Sequence, residues 1–328
     1  ITFLPLYYMM YMFYMFQSKM YLKNMWYFQM KMLYFKDQMK QFYINTINSP
    51  LMSSKYMSKN TNSNMLSLIT GFMDGDGYFR MTKKIHNNMD YIYISLMVNL
   101  KYSDSDLEML NYFKSSLNLG KVYNITPKKG NKLIRWEMSK TDMKNMLMPL
   151  LDYHNMIFLT ENRQKQFLLS KYIINNNITY YKDLNTHKEK MDEYIKDNNI
   201  TNKFDQLNYM DNWIIGFTMA EGSFLVKKNT DICYQLKQKY NFELFNCIRK
   251  VFNMSKGMSI NKNKYMQFSV SSKKDMQKII NFFNHENAQP LLGSKTISYK
   301  KWMMELQHSN RYKNLVFNIE SLDNKHNN

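Results

Sequence analysis

Two acidic residues, Asp76 and Glu221, occupy the same place in two similar stretches of this sequence. The stretches cover residues 68–79 and 213–224, and each contains an apolar run, Gly-Phe, two variable positions, a small residue, the acid, a glycine and a later Phe. A motif that recurs once in a chain of 328 residues indicates a duplicated unit. Two carboxylates brought together could hold a divalent cation, and hard oxygen ligands favour Mg²⁺.

Small residues share one helical face in each stretch, because positions four apart lie on the same side of a helix. These small residues are Gly71, Gly75, Gly216 and Ala220. Two helices that meet through such faces can bring their backbones close together. We therefore predict a helix–helix contact that delivers the two acids side by side at the helix C-termini. Gly77 and Gly222 follow the acids and are typical helix terminators.

Residues 69–77 and 214–222 resemble the two signatures of the LAGLIDADG homing endonucleases and intron maturases, in the monomeric form that carries both motifs in one chain. The resemblance covers roughly residues 63–305. In the second copy Met219 stands where Asp74 keeps the usual acid in the first, and Thr218 is polar in an apolar position. Neither departure touches the acid that carries the chemistry in this family. Taken alone, Asp-Gly-Asp-Gly would also suit a plain turn.

The resemblance implies an α+β fold of two pseudo-symmetric αββαββα units, whose antiparallel sheets together form a DNA-binding saddle. The residue pattern of the first unit predicts strands over 78–84, 91–100, 121–125 and 133–138, and helices over 106–117, from 141 onward and over 161–174. The second unit repeats this order, with strands over 224–228, 233–237, 259–262 and 265–270, and helices over 242–252, 274–284 and a last one reaching Trp302.

The chain divides into five predicted segments. They are a basic and aromatic extension over 1–62, for which an upstream exon is a candidate origin, the first unit over 63–174, a polar linker over 175–208 with a helix near 187–196, the second unit over 209–308, and a tail over 309–328. Residues 1–16 carry no charge, but they fall short of the roughly 18 apolar residues of a membrane span. They could be the clipped end of a membrane helix or a segment lying on a membrane surface.

Five residues are candidates for catalysis. The resemblance implies that Asp76 and Glu221 bind the catalytic metal and that a basic residue follows a Pro-Leu step near each centre. Lys295 fits that place in the second unit and Arg163 in the first, where a guanidinium would stabilise charge because it does not readily lose a proton. The alternative for both is an ordinary surface base. Gln238 resembles a polar active-site residue of the family, and its expected counterpart in the first unit is Ser103.

The formal net charge of +19 suggests a polyanionic partner, although solubility alone would also explain it. The solvent face of an antiparallel sheet can lie along a DNA major groove, which admits a two-stranded ribbon. Ten lysines fall on or beside the predicted strands and are candidates for nucleic-acid binding: Lys83, Lys84, Lys101, Lys121, Lys227, Lys228, Lys237, Lys239, Lys262 and Lys264.

The composition indicates an A/T-rich gene, because residues with G/C-rich codons are scarce. The chain has 31 Met, 26 Tyr and 21 Phe beside 9 Gly and 5 Pro. So many methionines follow easily where ATA also encodes Met, as in many mitochondrial codes, so we infer a mitochondrial gene. Two cysteines and six histidines without metal-ligand spacing make a zinc site or a His-metal nuclease improbable. Phosphate-loop and Gly-x-Ser-x-Gly motifs are absent from the sequence, which disfavours an ATP-driven enzyme or an esterase.

The leading hypothesis is therefore a monomeric, site-specific endonuclease that uses Mg²⁺, for which Mn²⁺ can substitute, to cut double-stranded DNA and mediate homing of its host mitochondrial group I intron. The alternative is an RNA maturase that uses the same scaffold to help the host intron splice. A membrane or structural role is a distant third. Small-molecule substrates are not expected. The expected location is the mitochondrial matrix, and attachment to the inner membrane through the N-terminus is a candidate variant of it.

Overall fold

The computed structural model describes residues 62–127, 130–199, 204–227, 231–239, 241–254, 257–260 and 265–317. Two similar halves follow each other in this part of the chain. The first half contains α1 (Ser63–Asp76), β1 (Gly77–His86), β2 (Met89–Lys101), α2 (Asp104–Leu117), β3 (Lys121–Ile125), β4 (Leu133–Ser139), α3 (Lys140–Asp142), a π-helical segment (Met143–Leu147), α4 (Met148–Tyr153) and α5 (Glu161–Asn175).

Between the halves lie two helices and a short 3₁₀ turn. They are α6 (Asp183–Thr186), α7 (Lys188–Asn198) and the turn Phe204–Gln206. The second half contains α8 (Met210–Glu221), β5 (Gly222–Val226), β6 (Ile232–Lys239), α9 (Phe242–Val251), β7 (Ser259–Ile260), β8 (Tyr265–Val270), α10 (Lys273–Asn284) and α11 (Ser294–His308). The predicted strand over 259–262 is thus described only for its first two residues.

Each half folds into one four-stranded antiparallel sheet, in the order β1-β2-β4-β3 in the first half and β5-β6-β8-β7 in the second. The register is also repeated, because Gly77 pairs with Val98 and Gly222 pairs with Leu236. These two sheets, each followed by helices in the same order, confirm the predicted α+β fold of two pseudo-symmetric units.

The sheets bury one face against helices and leave an open face on the other side, as the alternation of a strand requires. In the first sheet, the buried side of β2 carries Ile92, Ile94, Leu96 and Val98. The opposite face of the first sheet, called the open face below, consists of the even-numbered residues of β1 and the odd-numbered residues of β2, β3 and β4. Ser95 and Met97, in the middle of β2, belong to this face but are buried. The open face of the second sheet consists of the odd-numbered residues of its four strands, of which Cys233 is buried.

The helices α1 and α8 join the two halves, and they touch backbone to backbone. A Cβ atom built on Gly71 would lie 2.0 Å from the carbonyl oxygen of Trp213, and one built on Gly216 would lie 1.8 Å from that of Leu68. Each glycine thus faces the residue three positions before the other, which is the pattern of a twofold axis. A Cβ on Gly75 would lie 2.3 Å from the Cβ of Ala220. The four small residues singled out in the sequence therefore lie in this helix contact.

The two central helices end at the residues expected, but for a different reason. Gly77 and Gly222 follow the helices in extended conformation, with φ of −76° and −78°, and not in the left-handed conformation of the usual glycine terminator. A Cβ on Gly77 would come within 2.6 Å of the carbonyl oxygen of Met73, and one on Gly222 within 2.6 Å of that of Thr218. Close approach to the preceding turn therefore explains both glycines.

The chain after α11 packs on the second half. Tyr312 is fully buried, and its hydroxyl donates to the carbonyl oxygen of Ser271 at 2.7 Å. Arg311 forms an ion pair with Asp231 at 2.8 Å. Residues 309–317 thus continue the folded second half, whereas the sequence suggested a tail from residue 309. In the described part of the chain, we find no helix both long and apolar enough for a membrane crossing, and the uncharged segment 1–16 lies outside it.

Candidate active site

The two motif acids meet at the ends of the paired helices. Asp76 is the last residue of α1 and Glu221 is the last residue of α8. A Cβ atom on Gly75 would lie 3.0 Å from Cγ and 3.5 Å from Oε1 of Glu221, so the second acid lies directly against the residue that precedes the first. The absence of side chains in the helix contact is what lets the two carboxylates approach each other.

Both carboxylates hold their protons more tightly than usual. Burial and then repulsion by Glu221 raise the pKa of Asp76 to about 6, although Lys295 and Arg163 act in the opposite direction. Burial also raises the pKa of Glu221, while a hydrogen bond from Gln238 lowers it. The pair therefore carries an unfavourable negative charge at neutral pH, which a bound cation would relieve.

Lys295 lies in the first turn of α11, and its Nζ donates to the carbonyl oxygen of Gly222 at 2.6 Å. Burial lowers the pKa of Lys295. The negative charge of Asp76, which is the strongest charged partner of Lys295, raises that pKa in part. The start of α11 is fixed by Asp106 of the first half, whose Oδ1 accepts from the Ser294 N–H at 2.8 Å. Gly293 precedes this helix with a φ of +62°, which residues other than glycine rarely adopt. A Cβ atom at this position would also lie 2.4 Å from Asp106 Oδ1, so only glycine fits.

Arg163 is the third residue of α5 and is buried beside the same pair. Its guanidinium donates to Gln166 Oε1 at 2.6 Å and lies 3.5 Å from the carbonyl oxygen of Gly75. Burial lowers the pKa of Arg163, whereas the charges of Asp74 and Asp76 raise it. Because a guanidinium remains charged in proteins, Arg163 supplies a permanent positive charge at this site.

Gln238 contacts the second acid directly, since its Nε2 donates to Glu221 Oε1 at 2.9 Å. Its counterpart in the first half is not Ser103. Gln238 pairs with Met266 in the second sheet, and the equivalent pair in the first sheet joins Leu100 to Ile134. Ser103 instead caps the N-terminus of α2. The first acid therefore lacks the amide partner that the second acid has.

Asp74 is a fully buried acid whose role the sequence motif did not reveal. Its carboxylate accepts from the backbone N–H of Leu159 at 2.7 Å and of Thr160 at 3.0 Å. It also accepts from the Thr160 hydroxyl at 2.8 Å and from the indole N–H of Trp213, in the second half, at 2.9 Å. Burial raises the pKa of Asp74 to about 6 despite these donors. Asp74 thus fixes the start of α5, and with it Arg163.

The ten candidate lysines do not all lie on the open faces. The register places Lys84, Lys101, Lys121, Lys237 and Lys239 there, and all five are exposed. Lys83 lies on the helix side of β1, where it forms an ion pair with Asp90 at 2.6 Å. Lys227 lies in the turn after β5 and bonds to Asp231. Three of the lysines lie outside the described residues, namely Lys228, Lys262 and Lys264.

The donor atoms at the helix ends fit a magnesium ion. Within the residues that the structure describes, no cluster of three or more His, Cys, Asp or Glu side chains could hold a metal. A cation at the helix ends would therefore have two carboxylates as protein ligands, and water and substrate would fill its other positions. Mg²⁺ is commonly bound in this manner, through one or two carboxylates, water molecules and phosphate oxygens.

Comparison with known proteins identifies relatives in sequence and in fold. A probable intron-encoded endonuclease, aI3, of Dictyostelium discoideum is 22% identical over 69% of this chain and 90% of its own length. The LAGLIDADG homing endonuclease I-SmaMI bound to cleaved DNA superposes with a TM-score of 0.58 and 18% identity, over 80% of this chain and 94% of that one.

I-SmaMI bound to its uncleaved DNA target in the presence of calcium ions superposes with a TM-score of 0.56 and 18% identity, over 80% of this chain and 96% of that one. These likenesses concern the fold. The family model of the LAGLIDADG endonucleases matches residues 69–174 and 214–306, which include both sheets and all five candidate catalytic residues. With a match over more than half of its length, the chain belongs to the LAGLIDADG endonuclease family.

Proposed function

We propose that this protein is a site-specific endonuclease that cuts both strands of DNA by metal-dependent hydrolysis and thereby mediates homing of its host intron. The observation that carries the proposal is the pair of carboxylates at the ends of two helices related by a twofold axis, with the buried Arg163 and the half-buried Lys295 beside them. Cutting two antiparallel strands requires two reaction centres of opposite direction. A twofold pair of acids supplies that arrangement within one chain, so a monomer suffices.

The chemistry follows from the side chains around the pair. Bound Mg²⁺, or Mn²⁺ in its place, would activate water and neutralise charge on the scissile phosphate. Asp76 and Glu221 would hold the metal, and Gln238 would keep the Glu221 carboxylate in one orientation. Lys295 and Arg163 would place fixed positive charge beside the phosphate, where negative charge develops during hydrolysis.

Double-stranded DNA is the proposed partner, and small molecules are not. The open faces of both sheets carry exposed lysines, and the formal net charge of the chain is +19. Such charges favour phosphates, but they position a duplex without reading its sequence. The I-SmaMI structures in complex with DNA support the same partner here.

The proposed gene is a group I intron of a mitochondrial genome, and the proposed site of action is the mitochondrial matrix. The abundance of methionine supports this location, as does the description of relatives as intron-encoded endonucleases. A maturase that binds the RNA of the host intron is the alternative function, because a net charge of +19 suits RNA as well as DNA.

Cleavage assays with Asp76→Asn and Glu221→Gln test the proposal. The purified protein should cut a DNA that spans the intronless exon junction in Mg²⁺, and each substitution should abolish double-strand cutting while leaving DNA binding intact. Lys295→Met should slow cutting less severely, because Lys295 would assist the metal and not hold it. Glu108→Gln, which changes an exposed acid of α2, is the matched control and should cut like the wild type.

Two outcomes would separate the alternatives. A wild-type protein that promotes splicing but leaves the junction DNA uncut in both Mg²⁺ and Mn²⁺ would be a maturase. Unchanged cutting by the doubly substituted Asp76→Asn, Glu221→Gln protein would move the active site elsewhere.

A further inference from the structure

We propose that the two halves of the DNA target are read by different chemistry: guanines by arginines of the first sheet, and adenines by glutamines of the second. The inference rests on the proposed function, because it concerns the sequence of the DNA that the open faces bind. The inference also goes beyond the proposed function, because the acidic and basic side chains of the active site do not determine which nucleotides flank the cut.

Arginine is scarce in this chain, and its few positions are therefore informative. Only five arginines stand beside the many lysines, and all five are described by the structure. Arg163 lies at the active site, while Arg249 bonds within its own half to the carbonyl oxygen of Met254 and Arg311 pairs with an aspartate. The remaining two, Arg80 and Arg135, lie on the open face of the first sheet.

Arg135 is held in one orientation by a chain of hydrogen bonds across three strands. Its Nε donates to Asn99 Oδ1 at 2.7 Å, and Asn99 Nδ2 donates to the Tyr78 hydroxyl at 2.9 Å. The Tyr123 hydroxyl also forms a hydrogen bond with this guanidinium. A guanidinium held by these contacts can present its terminal amino groups as a fork to O6 and N7 of guanine. A side chain that bound only phosphate would not need such support, because phosphate contacts tolerate many orientations.

Glu137 supplies the second observation. It is the one acid on the open face of the first sheet within the described strands, two residues after Arg135 on β4. Its carboxylate accepts from the Tyr93 hydroxyl at 3.0 Å and also from the Tyr123 hydroxyl. A carboxylate facing DNA repels phosphates and finds a favourable partner in the amino group of cytosine. Arg135 and Glu137 together therefore favour G·C pairs.

The open face of the second sheet carries glutamine amides, whereas the open face of the first sheet carries arginine guanidinium groups. Gln235 and Gln267 lie on its open face, on the neighbouring strands β6 and β8, where Gln235 pairs with Ser269 and Gln267 with Lys237. Glutamine can form two hydrogen bonds with the N6 and N7 atoms of adenine. The arginines of the second half, Arg249 and Arg311, lie outside its strands, so the open face of this sheet has no guanidinium with which to read guanine. The two half-sites should therefore differ in composition although the protein halves share one fold.

Selection of binding sites from a random duplex pool tests this proposal, with Ca²⁺ present to support binding. The wild-type protein should select at least one G·C pair on one side of the cut and A·T pairs on the other. Arg135→Lys keeps the charge and removes the planar fork, so it should weaken the preference at that G·C position. Affinity for the wild-type site should fall about 10- to 100-fold, with an unchanged slope of log affinity against log salt.

Two comparison variants sharpen the result. Lys101→Gln removes an exposed open-face charge, so it should reduce the salt slope by about one and leave the selected sequence unchanged. The double substitution Gln235→Met and Gln267→Met should relax positions on the opposite side of the cut from those relaxed by Arg135→Lys. The inference would be overturned, and the proposed function would stand, if the selected sites lacked such a G·C pair. The same would follow if the arginine and glutamine substitutions relaxed positions on the same side of the cut. If the wild type selected no duplex sequence, the proposed function would fall with it.

Discussion

Replacement of Asp76 by asparagine should stabilise the metal-free protein at neutral pH and matter less in acid. The pKa of Asp76 rises from 3.8 to about 6, so the native state binds this proton more tightly than the unfolded chain does. The stability that the group contributes is therefore complete below pH 3.8 and is lost as the pH rises through 6. This loss amounts to about 3 kcal/mol at pH 7.5 and to about 1 kcal/mol at pH 4.5. Asparagine carries no charge and should avoid most of it.

Thermal unfolding in EDTA at the two pH values measures the effect. The Tm of Asp76→Asn should exceed that of the wild type by roughly 6 to 12 °C at pH 7.5, and by roughly a third of that at pH 4.5. Asp192→Asn, which changes an exposed aspartate of α7, should show no such difference between the two pH values. Added Mg²⁺ should narrow the gap at pH 7.5, because it would bind and stabilise the wild type. An equal difference at both pH values would refute the argument from carboxylate charge.

Three further substitutions probe the surroundings of the acids. Gly216→Ala places a Cβ 1.8 Å from the Leu68 carbonyl oxygen, so urea titration should reveal a loss of about 3 kcal/mol or more, and a loss below about 1 kcal/mol would mean that the helices part easily. Asp74→Asn places an amide N–H against the N–H and O–H groups that donate to Asp74, so the free energy of unfolding should fall by about 3 kcal/mol in the same assay. A variant as stable as the wild type would contradict the assigned hydrogen bonds. Gln238→Leu removes the hydrogen bond to Glu221 and places at this position the residue type that Leu100 has in the first half. Cutting of one strand should then slow more than cutting of the other, so a gel of supercoiled DNA should show accumulating nicked product. Equal slowing of both strands would exclude an orienting role for Gln238.

The parts of the fold that follow from local pattern could be predicted from the sequence. The glycine spacing in residues 69–77 and 214–222 indicates a close helix contact, because a face without side chains is useful chiefly where backbones touch. Strand alternation and helical periodicity located most elements of the two halves to within a few residues, since those patterns depend on neighbours in the chain, although α11 continues past Trp302 to His308.

The parts that depend on distant residues could not be predicted. Asp74 is fixed by groups 85 and 86 residues away, and Asp106 reaches a backbone N–H 188 residues further along. The counterpart of Gln238 was wrongly placed at Ser103, because strand register decides it and the sequence does not show register. Strand register also explains Lys83, which lies on the side of the first sheet opposite to the open face. The first residues of β1 determine on which face of the sheet each later residue of that strand lies.

The contacts of Gly71 with the Trp213 backbone and of Gly216 with the Leu68 backbone have a consequence for how such a protein can change over evolutionary time. The distance between the two acids depends on backbone atoms in van der Waals contact, so few substitutions can alter it. The residues on the open faces have no such constraint and can drift with the genome that carries them. Lineages of this protein should therefore acquire new target sequences while the stagger between the two broken strands stays constant. The offset of the cut ends would then be inherited with the scaffold, independently of the site that is cut.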